Sequence, residues 1–252
     1  VTESPRETRV LEAVVALVDT VLEDFDVVDL LTELTEQCAV LLDVAAAGIL
    51  LADPFDQLRL VAATSEQARE LELFQLQADE GPCMDCYATA APISVADLRT
   101  ATERWPRFVP AALAGGFASV HAVPMRAAGR VLGALGLFGT RPGELNEADL
   151  AAGQTLAHIA CVALLQGRAP APSTVVPQLR ATLASRVVVE QAKGFLREKL
   201  DVSVEDAFAL LRSYARANGE HLTEVARRLM TDRTARPALV ASIAEFAGRT
   251  TR

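Results

Sequence analysis

The 51% apolar content of these 252 residues is ample for a buried core in one or two domains and excludes disorder over long spans. The formal charge of −9 is unevenly spread: residues 1–176 carry 11 basic and 24 acidic side chains and residues 177–252 carry 13 and 9, which suits a C-terminal part that tolerates a polyanion. No window reaches about 18 uninterrupted apolar residues, so no membrane span is expected.

The N-terminal stretch is apolar in a periodic way, but Glu12, Asp19, Glu23 and Asp24 interrupt it and no small-residue cleavage pattern follows, unlike a signal peptide. Four cysteines without a secretory segment favour a reducing cytoplasm. Val10, Val14, Leu17, Val18 and Val21 fall on one side of a helix over 6–24, and a second helix over 28–42 opens with Asp29 as its cap. The pair is able to dimerise. Strands follow at 46–52 and 58–64, joined by an Asp53-Pro54-Phe55-Asp56 turn, then a helix over 64–77. Gly81 to Cys86 reads as a loop, followed by a strand at 92–95, a helix over 105–114, strands at 119–124 and 130–138, and a long helix over 146–165.

Helices flanking about five mostly antiparallel strands describe an α+β sensor sheet. This order, with RVLGALGLFG followed by the closing helix, resembles a GAF domain over roughly Asp29 to Leu165. The resemblance implies a pocket on one face of the sheet for a small molecule, without naming it. Candidate pocket residues are Cys83, Cys86, Trp105, Phe108 and His121. Cys83-x-x-Cys86 admits three readings: a redox- or ligand-sensing loop, small apolar pocket walls, or a metal pair, the last lacking a second ligand pair at the spacing zinc requires. His121, in an apolar strand, and His158, in the closing helix, are haem or metal candidates whose alternative is a satisfied, half-buried histidine. Trp105 and Phe108 lid or pack the pocket, or form an aromatic cage.

The proline-punctuated segment 167–177 cannot be helical throughout and is read as a linker. Val176, Leu179, Leu183, Val187 and Glu190 then track a seam of coiled-coil-like spacing, suited to pairing with a second copy. In Ser185 to Leu200, SRVVVEQAKGFLREKL, the positions Arg186, Glu190, Lys193 and Arg197 make a mainly basic stripe on one helix face, with Val188, Ala192 and Phe195 on another. Gly194 sits mid-helix at a cost of about 1 kcal/mol, which points to close approach of a backbone or ligand, or to a tight helix crossing. Ser203-x-x-Asp206 opens a second helix, ended by Asn218-Gly219, and Leu222 to Met230 forms a third.

SRVVVEQAKGFLREKL, SVEDAFALLRSYAR and LTEVARRL together resemble an ANTAR domain over about Leu179 to Thr231, with Phe195-Leu196 a conservative departure from its pattern. The resemblance implies binding to a nascent transcript with two small stem-loops, whose stabilisation prevents a terminator hairpin. Phosphate or loop-base contacts then fall to Arg186, Lys193, Arg197, Arg212 and Arg216, with Gln191, Tyr214 and Asn218 able to read or stack on bases and Gly194 allowing approach. A salt-bridged solvated face is the alternative reading of the same charges, since Glu190 can pair with Lys193.

Residues 1–176 contain no lysine, which argues against a P-loop and against a phospho-receiver pocket, and no G-x-S-x-G or H-E-x-x-H occurs. No enzyme and no cofactor is expected. The domains are drawn as 1–28 (N-terminal helix), 29–166 (sensor), 167–177 (linker), 178–235 (three-helix RNA-binding bundle with its pairing helix) and 236–252 (a tail whose residues 236–246 can form one more helix). The expectation is a cytoplasmic, homodimeric antiterminator responding to an unknown small molecule or redox signal. Its rivals are a DNA-binding helix-turn-helix regulator and a protein-interaction sensor.

Overall fold

The computed structural model describes residues 6–22, 25–127, 129–165 and 172–250. The chain divides into two compact units, one of residues 1–24 and 30–180, the other of 25–29 and 181–252. Residues 167–171 of the expected linker lie outside the described residues. Its remaining positions are helical, since α7 runs Pro172–Leu200 and encloses Pro177.

The first unit begins with α1 (Arg6–Leu22) and, from Leu30 onward, α2 (Val27–Leu41), followed by β1 (Ala46–Ala52), β2 (Leu58–Ala63), α3 (Glu66–Ala78), α4 (Pro82–Thr89) and β3 (Ile93–Val95). After a 3₁₀ turn at Leu98–Ala101 come α5 (Phe108–Ala114), β4 (Ser119–Ala127), β5 (Arg130–Gly139) and α6 (Glu147–Leu165). The five strands form one antiparallel sheet in the order β2-β1-β5-β4-β3. Successive side chains of a strand point to opposite faces. Val120 and Ala122 of β4 therefore face α3, α4 and α5, while Leu137 of β5 faces α6, against Gly153, which also meets Leu42. Helices on both faces explain why all seven residues of β1, AAGILLA, are buried.

Two local readings change. The Gly81–Cys86 segment is helical from Pro82, because Gly81 at φ +144° takes the N-cap and Pro82 supplies the fixed φ that suits the first helical position. The cap of α2 is Asp26 rather than Asp29: its Oδ1 accepts from Val28 N (2.9 Å) and Asp29 N (3.1 Å), the N2 and N3 pattern of an N-cap side chain.

The second unit gathers α7 from Ala181 onward with α8 (Val204–Ala217), α9 (Leu222–Thr231), α10 (Arg236–Thr250) and the short segment Phe25–Asp29. Asp201 at φ +52° breaks α7, and Ser203 caps α8 by accepting from Asp206 N at 2.9 Å. Gly219 at φ +63° ends α8, with Glu220 N donating to Ala215 O. The tail forms one more helix, α10, whose Leu239 and Ile243 enter the core beside Leu211 and Val225, so the bundle holds four helices rather than three. Val28 joins the same core, fully buried. Asp26 completes the arrangement: its Oδ2 accepts from Thr223 N (2.7 Å), so it caps α9 as well as α2.

Candidate functional sites

In the sensor unit all five candidate pocket residues are buried, in three places. Trp105 and Phe108 meet edge to face, 6.0 Å between centroids, within the apolar core between α5 and the sheet. Trp105 precedes α5; Glu80 opens that helix by accepting from Arg107 N and from Phe108 N (2.6 Å). Trp105 Nε1 donates to Asp85 of α4 at 3.2 Å, and Arg104 bonds the same carboxylate while lying over the indole. Cys83 and Cys86, both free thiols, belong to a neighbouring cluster under α4. His121 does not join them. The alternation of β4 sends it to the opposite face, where Nδ1 bonds Ser94 Oγ of the paired strand and burial holds the ring below the usual imidazole range.

Beside Cys83 lies a polar group that sequence reading missed. Glu72, fully buried on α3, accepts from Gln75 Nε2, while Gln75 Oε1 accepts from Cys83 N at 3.1 Å and Cys83 Sγ lies 3.8 Å from Glu72 Oε1. Desolvation pushes the Glu72 carboxyl up to about 8, so it is mostly protonated at neutral pH. The sheet is cut away to admit it: a Cβ on Gly48 would stand 2.6 Å, and one on Gly136 2.7 Å, from Glu72 Oε1. A signal was present, since Ala68, Leu71, Glu72, Gln75 and Ala78 share the buried face of α3, with two polar side chains on core positions. Burial also raises the thiols, Cys83 well above its ordinary value and Cys86 to about 12, so neither is a thiolate at neutral pH. What the arrangement offers chemically is a neutral acid, an amide and two thiols inside an apolar wall.

In the helical unit the expected basic stripe splits. Arg186 and Lys193 are 8% and 7% exposed, and Glu190 between them binds both, at 2.5 Å to Arg186 Nη2 and 3.0 Å to Lys193 Nζ. Lys193 Nζ also stands over the Phe208 ring. The stripe is not a wet face, because α7 buries Val189, Ala192 and Leu196 and the adjacent turns carry Arg186 and Lys193 inward with them. Gln191, Gly194 and Arg197 are exposed, and a Cβ on Gly194 would meet nothing within 4 Å, so among the described residues no backbone crosses there. Of the seam residues, Leu179 is buried and Val187 is 55% exposed.

On α8, Arg212 and Arg216 converge on one carboxylate. Arg212 Nε donates to Asp29 Oδ1 and Arg216 Nε to Asp29 Oδ2 at 3.1 Å. Tyr214 packs half-buried against the bundle core, and Asn218 caps α8 with Nδ2 on Tyr214 O at 2.8 Å, which commits that amide to the backbone. Asp26, and the pairing of Asp29 with α8, escaped sequence reading because the two acids lie 197 and 183 residues from their partners.

The described residues thus form two modules, an antiparallel sheet with helices on both faces and a capped helical bundle bearing paired arginines. A GAF-domain family model matches residues 26–164 and an ANTAR-domain model matches 177–230. The chain belongs to the GAF-domain family and carries an ANTAR domain at its C-terminal side. Among solved structures it is similar to the GAF domain of a phosphoenolpyruvate-protein phosphotransferase from Coxiella burnetii, with a TM-score of 0.50 and 17% identity over 64% of this chain and 95% of that one. It is likewise similar to free methionine-R-sulfoxide reductase from Neisseria meningitidis in complex with its substrate, with a TM-score of 0.50 and 18% identity over 71% and 95%. Both likenesses concern the fold. No curated protein matches the chain. The ANTAR domain is an RNA-binding antitermination module and the GAF domain a small-molecule-sensing one, so the chain combines regulatory rather than catalytic domains. Among the described residues one helix, α6, is long and apolar enough to cross a membrane, and 61% of its apolar window is buried inside the fold.

Proposed function

We propose that the protein is a cytoplasmic, homodimeric antiterminator that grips two stem-loops of a nascent transcript and keeps a terminator hairpin from forming, with its GAF domain sensing a small molecule. The observation that carries the RNA half is the arginine pair of α8, whose guanidinium groups already converge on one anion in the manner that suits a phosphate. The exposed edge of α7 at Gln191, Gly194 and Arg197 supplies open backbone, an amide and a cation beside it in sequence, as unstacked loop bases require. Arg186 and Lys193 support that edge through Glu190 rather than meeting RNA themselves.

The test is a titration of the full chain, at one stated salt concentration, with a two-stem-loop RNA, a loop-scrambled version and the equivalent duplex DNA. Arg197→Ala is expected to weaken stem-loop binding about 3- to 10-fold with an unchanged melting temperature, as loss of one phosphate or loop contact does. Equal or preferred binding of the duplex would promote the helix-turn-helix reading. Binding to none of the three, with or without candidate small molecules, would leave a protein partner as the bundle's target.

A further inference from the structure

Resting on that RNA-binding reading, we infer that Arg212 and Arg216 form a phosphate clamp which the protein closes on its own Asp29, so that an RNA backbone phosphate binds by taking this carboxylate's place. The geometry is specific. Two arginines one helical turn apart each direct an Nε–H to a different oxygen of one carboxylate, Arg212 to Oδ1 and Arg216 to Oδ2 at 3.1 Å. A phosphodiester presents the same pair of anionic oxygens.

Asp29 is not spent on its own helix. The α2 cap is made by Asp26, which leaves the Asp29 carboxylate facing α8. Its segment is anchored just before the ion pair: Val28 is fully buried in the bundle core and Asp26 caps α9 through Thr223. The anchors keep Asp29 at high local concentration, which makes it an intramolecular competitor. The pair itself is displaceable. The Arg216 side chain is 51% exposed, against 19% for Asp29 and 13% for Arg212, so displacement starts at the Arg216 arm, where a solvated pair is individually weak and a polyanion adds counterion release.

The experiment is a fluorescence-anisotropy titration of the full chain with a labelled synthetic RNA of two short stem-loops, at one salt concentration and then along a salt series. Asp29→Asn is expected to tighten binding about 3- to 10-fold and to steepen the salt dependence, by about 0.7 in slope per phosphate newly held. Glu205→Gln, an exposed acid in the first turn of the same helix, makes the same charge change and is expected to shift affinity less than about 2-fold. In a chain carrying Arg212→Gln and Arg216→Gln, Asp29→Asn is expected to gain nothing. Should Asp29→Asn melt below the native protein, Asp29→Ser provides the same comparison. Native-like melting with no gain, a gain matched by Glu205→Gln, or a gain that survives loss of both arginines overturns the clamp alone. Wild type and Asp29→Asn that both fail to bind the RNA at any point of the salt series overturn the RNA reading, and the clamp with it.

Discussion

Glu72 stands among a side-chain amide, a thiol and two strand glycines, and its proton is what makes that tolerable. With a folded value near 8 against an ordinary 4.5, the native state keeps a proton between those limits that the unfolded state has released, so stability falls as pH rises through that window. The slope is about 1.4 kcal/mol for each pH unit at most. Glu72→Gln imitates the protonated acid, and its melting temperature should exceed that of wild type at pH 8 and converge on it near pH 4; curves that stay parallel from pH 4 to 8 would contradict a protonated Glu72. The sequence hid this residue because a glutamate at a helical core position looks like one at the edge of a solvated face. The same ambiguity misplaced Arg186 and Lys193: periodicity places residues on a face, and only the packing of neighbouring helices decides which face is dry.

At the level of elements, hairpins and capped helices were legible because their signals are local. The Asp53-Pro54 turn, the Ser203-Asp206 box and the Asn218-Gly219 stop each act within a few residues. The opening of α4 was misread because Gly-Pro usually punctuates a loop, whereas here the pair starts a helix. Gly81 carries two constraints at once. Its φ of +144° disfavours any side chain, and a Cβ there would stand 2.6 Å from Gln75 Oε1 and 2.8 Å from Gln75 Cβ, in the network that holds Cys83. Gly116, at φ +85°, has nothing within 4 Å of such a Cβ. Gly116→Ala should therefore cost only about 1 kcal/mol of backbone strain, and Gly81→Ala about 2–4 kcal/mol as the Gln75 network is pushed aside. Urea midpoints of the two variants, at unchanged m, measure the difference; equal midpoints would mean that Gln75 yields without cost.

Across the whole chain, both modules were legible as resemblances carried by local patterns, while the full membership of the bundle core was not, because a core recruits residues from any distance along the sequence. The bundle takes Val28 from the N-terminal side and Leu239 and Ile243 from the segment read as a tail, all within 5% exposure. Burying each such side chain contributes about 1.5–3 kcal/mol, so losing all three removes about 5–8 kcal/mol, as much as many small domains possess in total. A fragment of residues 178–235, cut where the sequence pattern ends, is thus expected to lack a cooperative thermal transition by circular dichroism. Residues 178–252 keep Leu239, Ile243 and the bonds from Arg236 to the last carbonyls of α9, and should melt cooperatively. That longer fragment still lacks Val28 and the Asp26 cap on Thr223, so its transition should fall below that of a fragment in which residues 25–29 are supplied through a flexible linker. Equal transitions with and without residues 25–29 would mean that the segment only rests on the bundle, and a cooperative 178–235 would mean that three helices suffice.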